Sequence, residues 1–165
     1  MSRHLAAAVA ALAMLSVTAC EARPDDEMVR PTVTRSATPQ APTDLPDLPV
    51  GQGAIGPSDN VRVQGSTIHV GRRAVGLAPL RIDAWAVVPG GVYFVNRSEL
   101  WFTDLRRAVP TDFKHVDHLR TTDHGTHLVF TDLEHGADGP NGRPLPVRIE
   151  YDARTGAPLS ATYLP

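Results

Sequence analysis

The sequence predicts an all-β protein, built as an antiparallel meander of two packed sheets or as a small β-sandwich. Beyond about residue 60, apolar residues recur with a period of two or form short runs interrupted by glycine, proline and asparagine. No stretch of helical length carries a 3.6-residue apolar period. Every aromatic residue lies at or beyond Trp85. The core must therefore come from about residues 61–165.

Ten segments of this region have the pattern of strands. They are 61–63, 67–70, 73–77, 81–88, 92–96, 99–105, 115–121, 126–132, 147–152 and 162–164. The separators between them suit tight turns, since they are rich in glycine, proline, asparagine and serine. These separators are Gly71-Arg72, Pro89-Gly90-Gly91, Asn96-Arg97-Ser98 and Asp123-His124-Gly125. A body of about 105 residues in short strands has a modest core.

The N-terminus has the pattern of a secretory signal peptide that ends at a cysteine. Arg3 and His4 precede an apolar run over residues 5–15, which is too short to span a bilayer as a helix. The sequence VTAC at 17–20 resembles the lipobox of bacterial lipoproteins. This resemblance implies cleavage after residue 19 and attachment of a diacylglyceryl group to Cys20. Two or more acyl chains hold a protein stably on a membrane. The alternative is an ordinary signal peptide whose last residue happens to be cysteine.

Charge and cysteine content exclude several classes of function. Cys20 is the only cysteine, so the chain cannot form an internal disulfide. Without residues 1–19 the chain has 15 basic and 18 acidic side chains, a formal net charge of −3. This balance indicates neither nucleic-acid binding nor a polybasic lipid-binding patch. Lys114 is the only lysine among 16 basic residues; with the lipobox, this composition resembles that of actinobacterial proteins. The expected location is the extracytoplasmic face of the cell membrane.

Residues 20–60 are predicted to be a lipid-anchored, disordered linker. Seven prolines and no aromatic residue occur between residues 21 and 60, and such a chain buries too little apolar surface to offset its ordering entropy. The segment GQGAIG at 51–56 fits the dinucleotide pattern G-x-G-x-x-G, but it lacks the strand before and the helix after that this motif requires. We interpret it as linker. The predicted organisation is a signal peptide over 1–19, a linker over 20–60 and an all-β domain over 61–165.

Two registers, meaning two alignments of the sequence with itself, could relate the strands to one another as repeats. LWFTDLRR at 100–107 and LVFTDLEH at 128–135 share five of eight residues, but the segments before them do not match. A second register sets Gly91 against Gly125 and Asp104 against Asp152. Each unit is then a strand, a glycine turn, a strand, a loop and a strand that closes on Asp-x-Arg. In this register the similarity of the two octapeptides is coincidental strand chemistry.

The second register and the strand-turn YDARTG at 151–156 resemble the blades of β-propellers, particularly TolB-like and WD-repeat-like units. The resemblance covers about 75 residues and implies two blade-like sheets. A closed propeller needs at least four blades of about 40 residues. The alternatives are therefore a propeller fragment, a fragment that closes by self-association, or a two-sheet sandwich.

The densest polar cluster lies at residues 115–135 and holds five of the seven histidines. If residues 123–126 form a two- or four-residue turn, alternation places His115, Asp117 and Asp132 on one face. Carboxylates with one imidazole could bind a hard metal ion. We favour solvated strand ends with a nearby arginine, so no metal or cofactor is expected. A three-residue turn would scramble these faces.

No nucleophile motif of the S-x-x-K or G-x-S-x-G type occurs in the sequence. The favoured hypothesis is a non-enzymatic extracytoplasmic binding module, with an envelope protein or other envelope component as its partner. The rival hypothesis is a metal-dependent hydrolase or metal sensor centred on the 115–135 cluster. Binding is expected at the sheet surfaces and edges and at the loop over 133–146, because mobile loops on a rigid scaffold commonly carry function.

Overall fold

The computed structural model describes residues 42–75, 81–134 and 142–164. Over these ranges it contains eleven β-strands and one short 3-10 turn, arranged in three antiparallel sheets. The all-β prediction is confirmed. Within these ranges, no helix is long and apolar enough to cross a membrane. The predicted signal peptide, Cys20 and the first part of the predicted linker lie outside them.

Each sheet is a meander in which successive strands pair side by side, and none closes into a barrel. The first sheet contains β1 (Val61–Gln64), β2 (Thr67–Val70) and β3 (Arg73–Val75). The middle sheet contains β4 (Ala84–Val88), β5 (Gly91–Asn96), β6 (Glu99–Thr103) and β7 (Ala108–Pro110). The third sheet contains β8 (Val116–Thr122), β9 (His127–Asp132), β10 (Val147–Asp152) and β11 (Pro158–Tyr163). Two blade-like sheets were expected, and the structure has two four-stranded sheets and a third, smaller one.

The middle sheet packs on both of its faces. Tyr93 and Val95 of β5 belong to the core shared with the third sheet, whereas Val92 and Phe94 belong to the core shared with the first sheet. Strand β5 is therefore buried along its whole length. Strands covered on both faces are apolar at successive positions instead of alternating, which explains the run GVYFV.

Polar residues cover the two outer faces of this three-sheet stack. On the first sheet, Arg62 pairs with His69 on the side away from the core. On the third sheet, Arg148 and Glu150 of β10 point outward while their neighbour Ile149 is fully buried. Further sheets add to a stack through apolar faces, and polar outer faces end such arrays. The sequence left open a fragment that closes by self-association, and this alternative stays a prediction.

The Asp-x-Arg turns of the middle and third sheets are built alike. The Asp104 carboxylate accepts hydrogen bonds from the backbone N–H groups of Arg106 and Arg107, at 2.9 and 3.2 Å. Asp152 accepts from Arg154 and Thr155, at 2.7 and 3.1 Å. In each case these backbone hydrogen bonds are the main reason that the carboxyl pKa lies below its usual value.

Both turns follow the third strand of a four-stranded sheet, in agreement with the second register. LWFTDL belongs to β6, the third strand of its sheet, and LVFTDL to β9, the second strand of its sheet. The two octapeptides are therefore not structurally equivalent.

Strand β7 is the one described strand that the sequence did not predict. It has three residues and ends at Pro110, which pairs with Trp101 at the edge of the middle sheet. Proline has no N–H to donate, so within sheets it is confined to edges and strand ends. The predicted third strand reaches residues 76–77, which lie outside the described ranges.

Residues 42–57, which we call the strap, lie against the β body. The buried phenol of Tyr93 donates to the Pro49 carbonyl, and that of Tyr151 donates to the Pro46 carbonyl at 2.8 Å. The backbone N–H of Leu48 donates to Gly156, and that of Gly90 donates to the strap at Ile55, both at 2.8 Å. The strap therefore joins the β4–β5 turn of the middle sheet to the β10–β11 turn of the third.

This packing corrects the predicted domain boundary: the folded unit begins before residue 61. Leu48 and Ile55 are buried and belong to the two cores. Two apolar anchors alone, among prolines and glycines, do not make up the repeated apolar pattern of a strand or a helix, so composition indicated a disordered chain. The prolines fit the strap because its carbonyls serve as acceptors and the missing N–H groups need no partner.

The glycines of GQGAIG allow two backbones to approach closely. A Cβ atom at Gly51 would clash with the carbonyl oxygen of Gly90, and a Cβ at Gly53 would lie 2.8 Å from the same oxygen. These glycines therefore serve the contact between the strap and the β4–β5 turn, and they have no part in a dinucleotide site.

The two buried phenols predict a loss of stability at alkaline pH. Burial, the largest cause, raises the pKa of both Tyr93 and Tyr151 well above the usual value. Unfolded phenols ionise near pH 10, so their contribution to stability is complete below that pH and is lost as the pH rises above it. We expect Tyr93→Phe to reduce the fall in Tm between pH 9 and pH 11, and Tyr163→Phe serves as the matched control. An unchanged fall in Tm for Tyr93→Phe would contradict this account.

Candidate functional site

The structure does not form the predicted face of His115, Asp117 and Asp132. Strand β8 pairs Val116 with Asp132 and Asp117 with Thr131, so His115 and Asp117 alternate onto the side away from Asp132. The physical reason is a β-bulge between Asp117 and Arg120, where β8 carries one extra residue.

The β8–β9 turn has the expected length, but the extra residue in β8 shifts the pairing register on the far side of the bulge. The hairpin between β8 and β9 has four residues between Thr122 and His127, as the prediction assumed. His118, inside the bulge, has a left-handed φ of 53°. Each one-residue shift of register exchanges the two faces of a strand. The prediction that these three side chains share a face is therefore wrong.

His115, Asp117 and His118 instead line an open cleft between the middle and third sheets, which we call the acidic cleft. Its volume is about 430 Å³. Its lining residues come from β4, β5, the β5–β6 turn, β8, the residues just before β4 and β8, and the residue that follows β9: Asp83, Ala84, Val95, Ser98, His115, Val116, Asp117, His118 and Leu133.

Backbone hydrogen bonds hold the walls of the acidic cleft in place. The N–H of Val116 donates to the Ser98 carbonyl at 2.8 Å, which joins the start of β8 to the β5–β6 turn. The N–H of Leu133 donates to the His115 carbonyl at 3.1 Å. The N–H of Asp83 donates to the Val95 carbonyl at 2.9 Å. The polar side chains therefore stand on a scaffold of paired strands.

The rim of the acidic cleft carries carboxylates whose ion-pair partners are imidazoles. His115 Nδ1 lies 3.5 Å from Glu134 Oε2, and His118 Nε2 lies 3.5 Å from Asp117 Oδ2. These pairs are ionic only while the imidazole is protonated. In the described ranges, no arginine or lysine lies within 4.0 Å of the carboxylates of Asp83, Asp117 or Glu134.

The remaining lining of the acidic cleft is mostly apolar. Val116 is buried and Ala84 is half-buried, and both belong to or pack against the core of the third and middle sheets. Leu133 is 42% exposed, one of few large apolar side chains in the described ranges to be so open. An apolar floor below a charged rim suits ligands that carry both an apolar stem and a polar end.

The side chain of Asp132 stabilises the local backbone. Its side chain is fully buried, and Oδ1 accepts a hydrogen bond from the N–H of Glu134 at 3.0 Å. This contact shapes the turn that leaves β9. Across the described ranges, no three side chains of His, Cys, Asp and Glu lie close enough together to hold a metal ion.

A second polar group, on the outer face of the third sheet, was not predicted. His127 Nδ1 lies 2.8 Å from Glu150 Oε1 and 3.1 Å from Asp123 Oδ2. Ser160 Oγ lies 3.4 Å from the other oxygen of Glu150. Sequence pattern alone does not indicate this group, because Glu150 is 23 positions away from His127 and only the register of β9 with β10 brings the two side chains together. The group ties the β8–β9 turn to β10.

Comparison with known proteins found no relative: no protein-family model, no curated protein and no solved structure matches this chain.

Proposed function

We propose that the protein is a lipid-anchored, extracytoplasmic binding module that acts without catalysis and engages a protein of the cell envelope. The observation that carries the anchoring is the sequence VTAC at 17–20, placed directly after a signal-type apolar run. Cys20 is the lipid attachment site in this proposal, and the membrane is the first partner.

The length of chain between Cys20 and the strap would let the folded body work at some distance from such an anchor. The strap begins at residue 42, so 21 residues separate it from Cys20. A chain of this length reaches at most about 70 Å when fully extended. The acidic cleft is the binding surface that we favour, because its polar side chains are held by hydrogen-bonded strands.

The rival hypothesis of a metal-dependent hydrolase or sensor has lost its geometric basis. It required His115, Asp117 and Asp132 on one face, and the bulge in β8 separates the first two from the third. Binding through the β surface needs no such convergence.

Anchoring is tested by the variant Cys20→Ala in the full chain, with Thr34→Ala, between Cys20 and the strap, as the matched control. We expect Cys20→Ala to abolish incorporation of an alkyne-labelled fatty acid and to change processing or release the chain from the membrane fraction. Thr34→Ala should behave as the parent does. A parent that takes up no label and fractionates like Cys20→Ala would refute the lipid anchor.

A further inference from the structure

We infer that the outer face of the third sheet carries a separate binding site, which accepts a phosphate group. The site is an open groove of about 440 Å³ that crosses β8, β9 and β10, and we call it the outer groove. Its polar lining consists of His118, Arg120, Thr131 and Arg148. The inference goes beyond the proposed function, and it depends neither on the lipid anchor nor on a ligand in the acidic cleft.

The register of the third sheet places two arginines on either side of β9. Thr131 of β9 is directly opposite Arg148 of β10, and Val129 of β9 is directly opposite Arg120 of β8. Residues directly opposite each other in an antiparallel pair lie on the same face, and so do residues two positions apart in one strand. Both arginines therefore share the outer face with Thr131.

Thr131 is the observation that points to a ligand. Its side chain lines the outer groove although the residue is only 7% exposed. In the part of the chain that the structure describes, its hydroxyl has no hydrogen-bond partner. Buried polar side chains are normally hydrogen-bonded, so an exception calls for an explanation. A bound acceptor would supply the missing partner.

The two guanidinium groups are not neutralised by the chain itself. Both arginines are exposed, and among the described residues neither has a carboxylate within 4.0 Å. Two carboxylates stand on the same face, but neither lines the outer groove. Glu150 lies 2.8 Å from His127, and Asp117 accepts from the backbone N–H of His118 at 2.8 Å. The positive charges are therefore available to an external anion.

The donors of the outer groove match a phosphate better than a carboxylate. A guanidinium group only donates hydrogen bonds, and a threonine hydroxyl can donate one. Arg120, Thr131 and Arg148 thus offer two positive charges and three donor groups, one from each of three adjacent strands. A phosphate monoester has about 1.5 to 2 negative charges near pH 7 and three acceptor oxygens. A carboxylate has a single charge and two oxygens, so it would satisfy this set less completely.

The β-bulge in β8 forms one end of the outer groove. The extra residue lies between Asp117 and Arg120, and His118 within the bulge has a left-handed φ of 53°. Bulges bend a strand and change the direction of its side chains, and they are frequent beside functional sites. The imidazole of His118 lines the groove as a result.

The test uses the detergent-solubilised, full mature chain at pH 8 with two probes, inorganic phosphate and glycerol 3-phosphate. Each is compared with acetate at equal ionic strength. We expect both phosphates to bind at least about tenfold more tightly than acetate and to shift the amide resonances of residues 118–120, 129–131 and 148. Tighter binding of the ester would assign the site to a phosphate carried on a larger molecule, and tighter binding of the inorganic ion would assign it to free phosphate. Binding no tighter than that of acetate, or shifts confined to other residues, would overturn the inference.

Variants locate the effect in the outer groove. Thr131→Val removes the hydroxyl and keeps nearly the same shape, and Arg148→Gln removes one charge. Each should weaken binding of glycerol 3-phosphate by about tenfold, with the thermal transition unchanged. Arg72→Gln removes the same charge from an exposed turn outside the groove and should leave binding intact. An equal loss in Arg72→Gln, or full binding by Thr131→Val, would overturn the inference. If Arg148→Gln unfolds, Thr131→Val still decides.

Discussion

A chain that begins at residue 61, the boundary indicated by composition, is expected to fold poorly or not at all. It lacks Leu48 and Ile55, which are buried in the two cores, and each such side chain contributes about 1.5–3 kcal/mol when buried. The Tyr93 and Tyr151 phenols also lose their acceptors on the strap. The expected loss of about 3–6 kcal/mol is comparable to the whole stability of a small domain.

The matched control is a chain that begins at residue 42, which retains every described strap contact. Circular dichroism and thermal unfolding should show a cooperative transition for the chain from 42 and a broad or absent one for the chain from 61. Leu48→Ala and Ile55→Ala should each reproduce part of the loss. If both truncated chains unfold at the same temperature, the strap contributes nothing to the folded state.

The second large effect is expected from Gly90→Ala. Gly90 has a left-handed φ of 89°, and a Cβ atom there would clash with the carbonyl oxygen of Gly51 in the strap. The backbone conformation alone costs about 1–2 kcal/mol for an L-residue. Displacement of the strap adds to this, so we expect a total of about 3–5 kcal/mol in the free energy of unfolding, measured by urea denaturation.

Gly65→Ala separates these two costs. Gly65 also has a left-handed φ, 63°, but nothing lies within 4 Å of a Cβ placed there. This variant should lose only about 1–2 kcal/mol, with early proteolysis unchanged. In Gly90→Ala, by contrast, we expect faster cleavage within residues 42–57. Similar losses of stability in the two variants, without exposure of the strap, would contradict this expectation. They would show that the backbone at Gly51 shifts to accommodate the added methyl group.

Strand positions could be predicted from the sequence because they depend on local pattern. A period of two, β-branched and aromatic residues, and turns such as Asn96-Arg97-Ser98 are short-range properties, and the described strands largely coincide with them. Arg97 and Ser98 adopt positive φ values of 50° and 66°, as a tight hairpin requires. Strand β7 was not predicted because a segment of three residues that ends in proline shows no apolar periodicity.

The candidate site could be predicted only in part. The 115–135 cluster does hold polar side chains that line a cleft, but the face on which each one lies depends on register. One extra residue at His118 and Leu119 was enough to separate Asp132 from His115 and Asp117. A bulge has no reliable sequence signal, because it depends on how β8 packs and pairs as a whole.

By itself the sequence determined the fold class, the strand positions and the polar composition of the cluster, since each follows from local chain chemistry. Tertiary structure decided the rest. It docked a proline-rich segment through Leu48, Ile55 and two tyrosine hydroxyls that lie 44 and 105 residues away from their acceptors, and it chose the register of β8. Such long-range contacts form only where the assembled sheets offer a matching surface, so their energy is a property of the packed body and of no single segment.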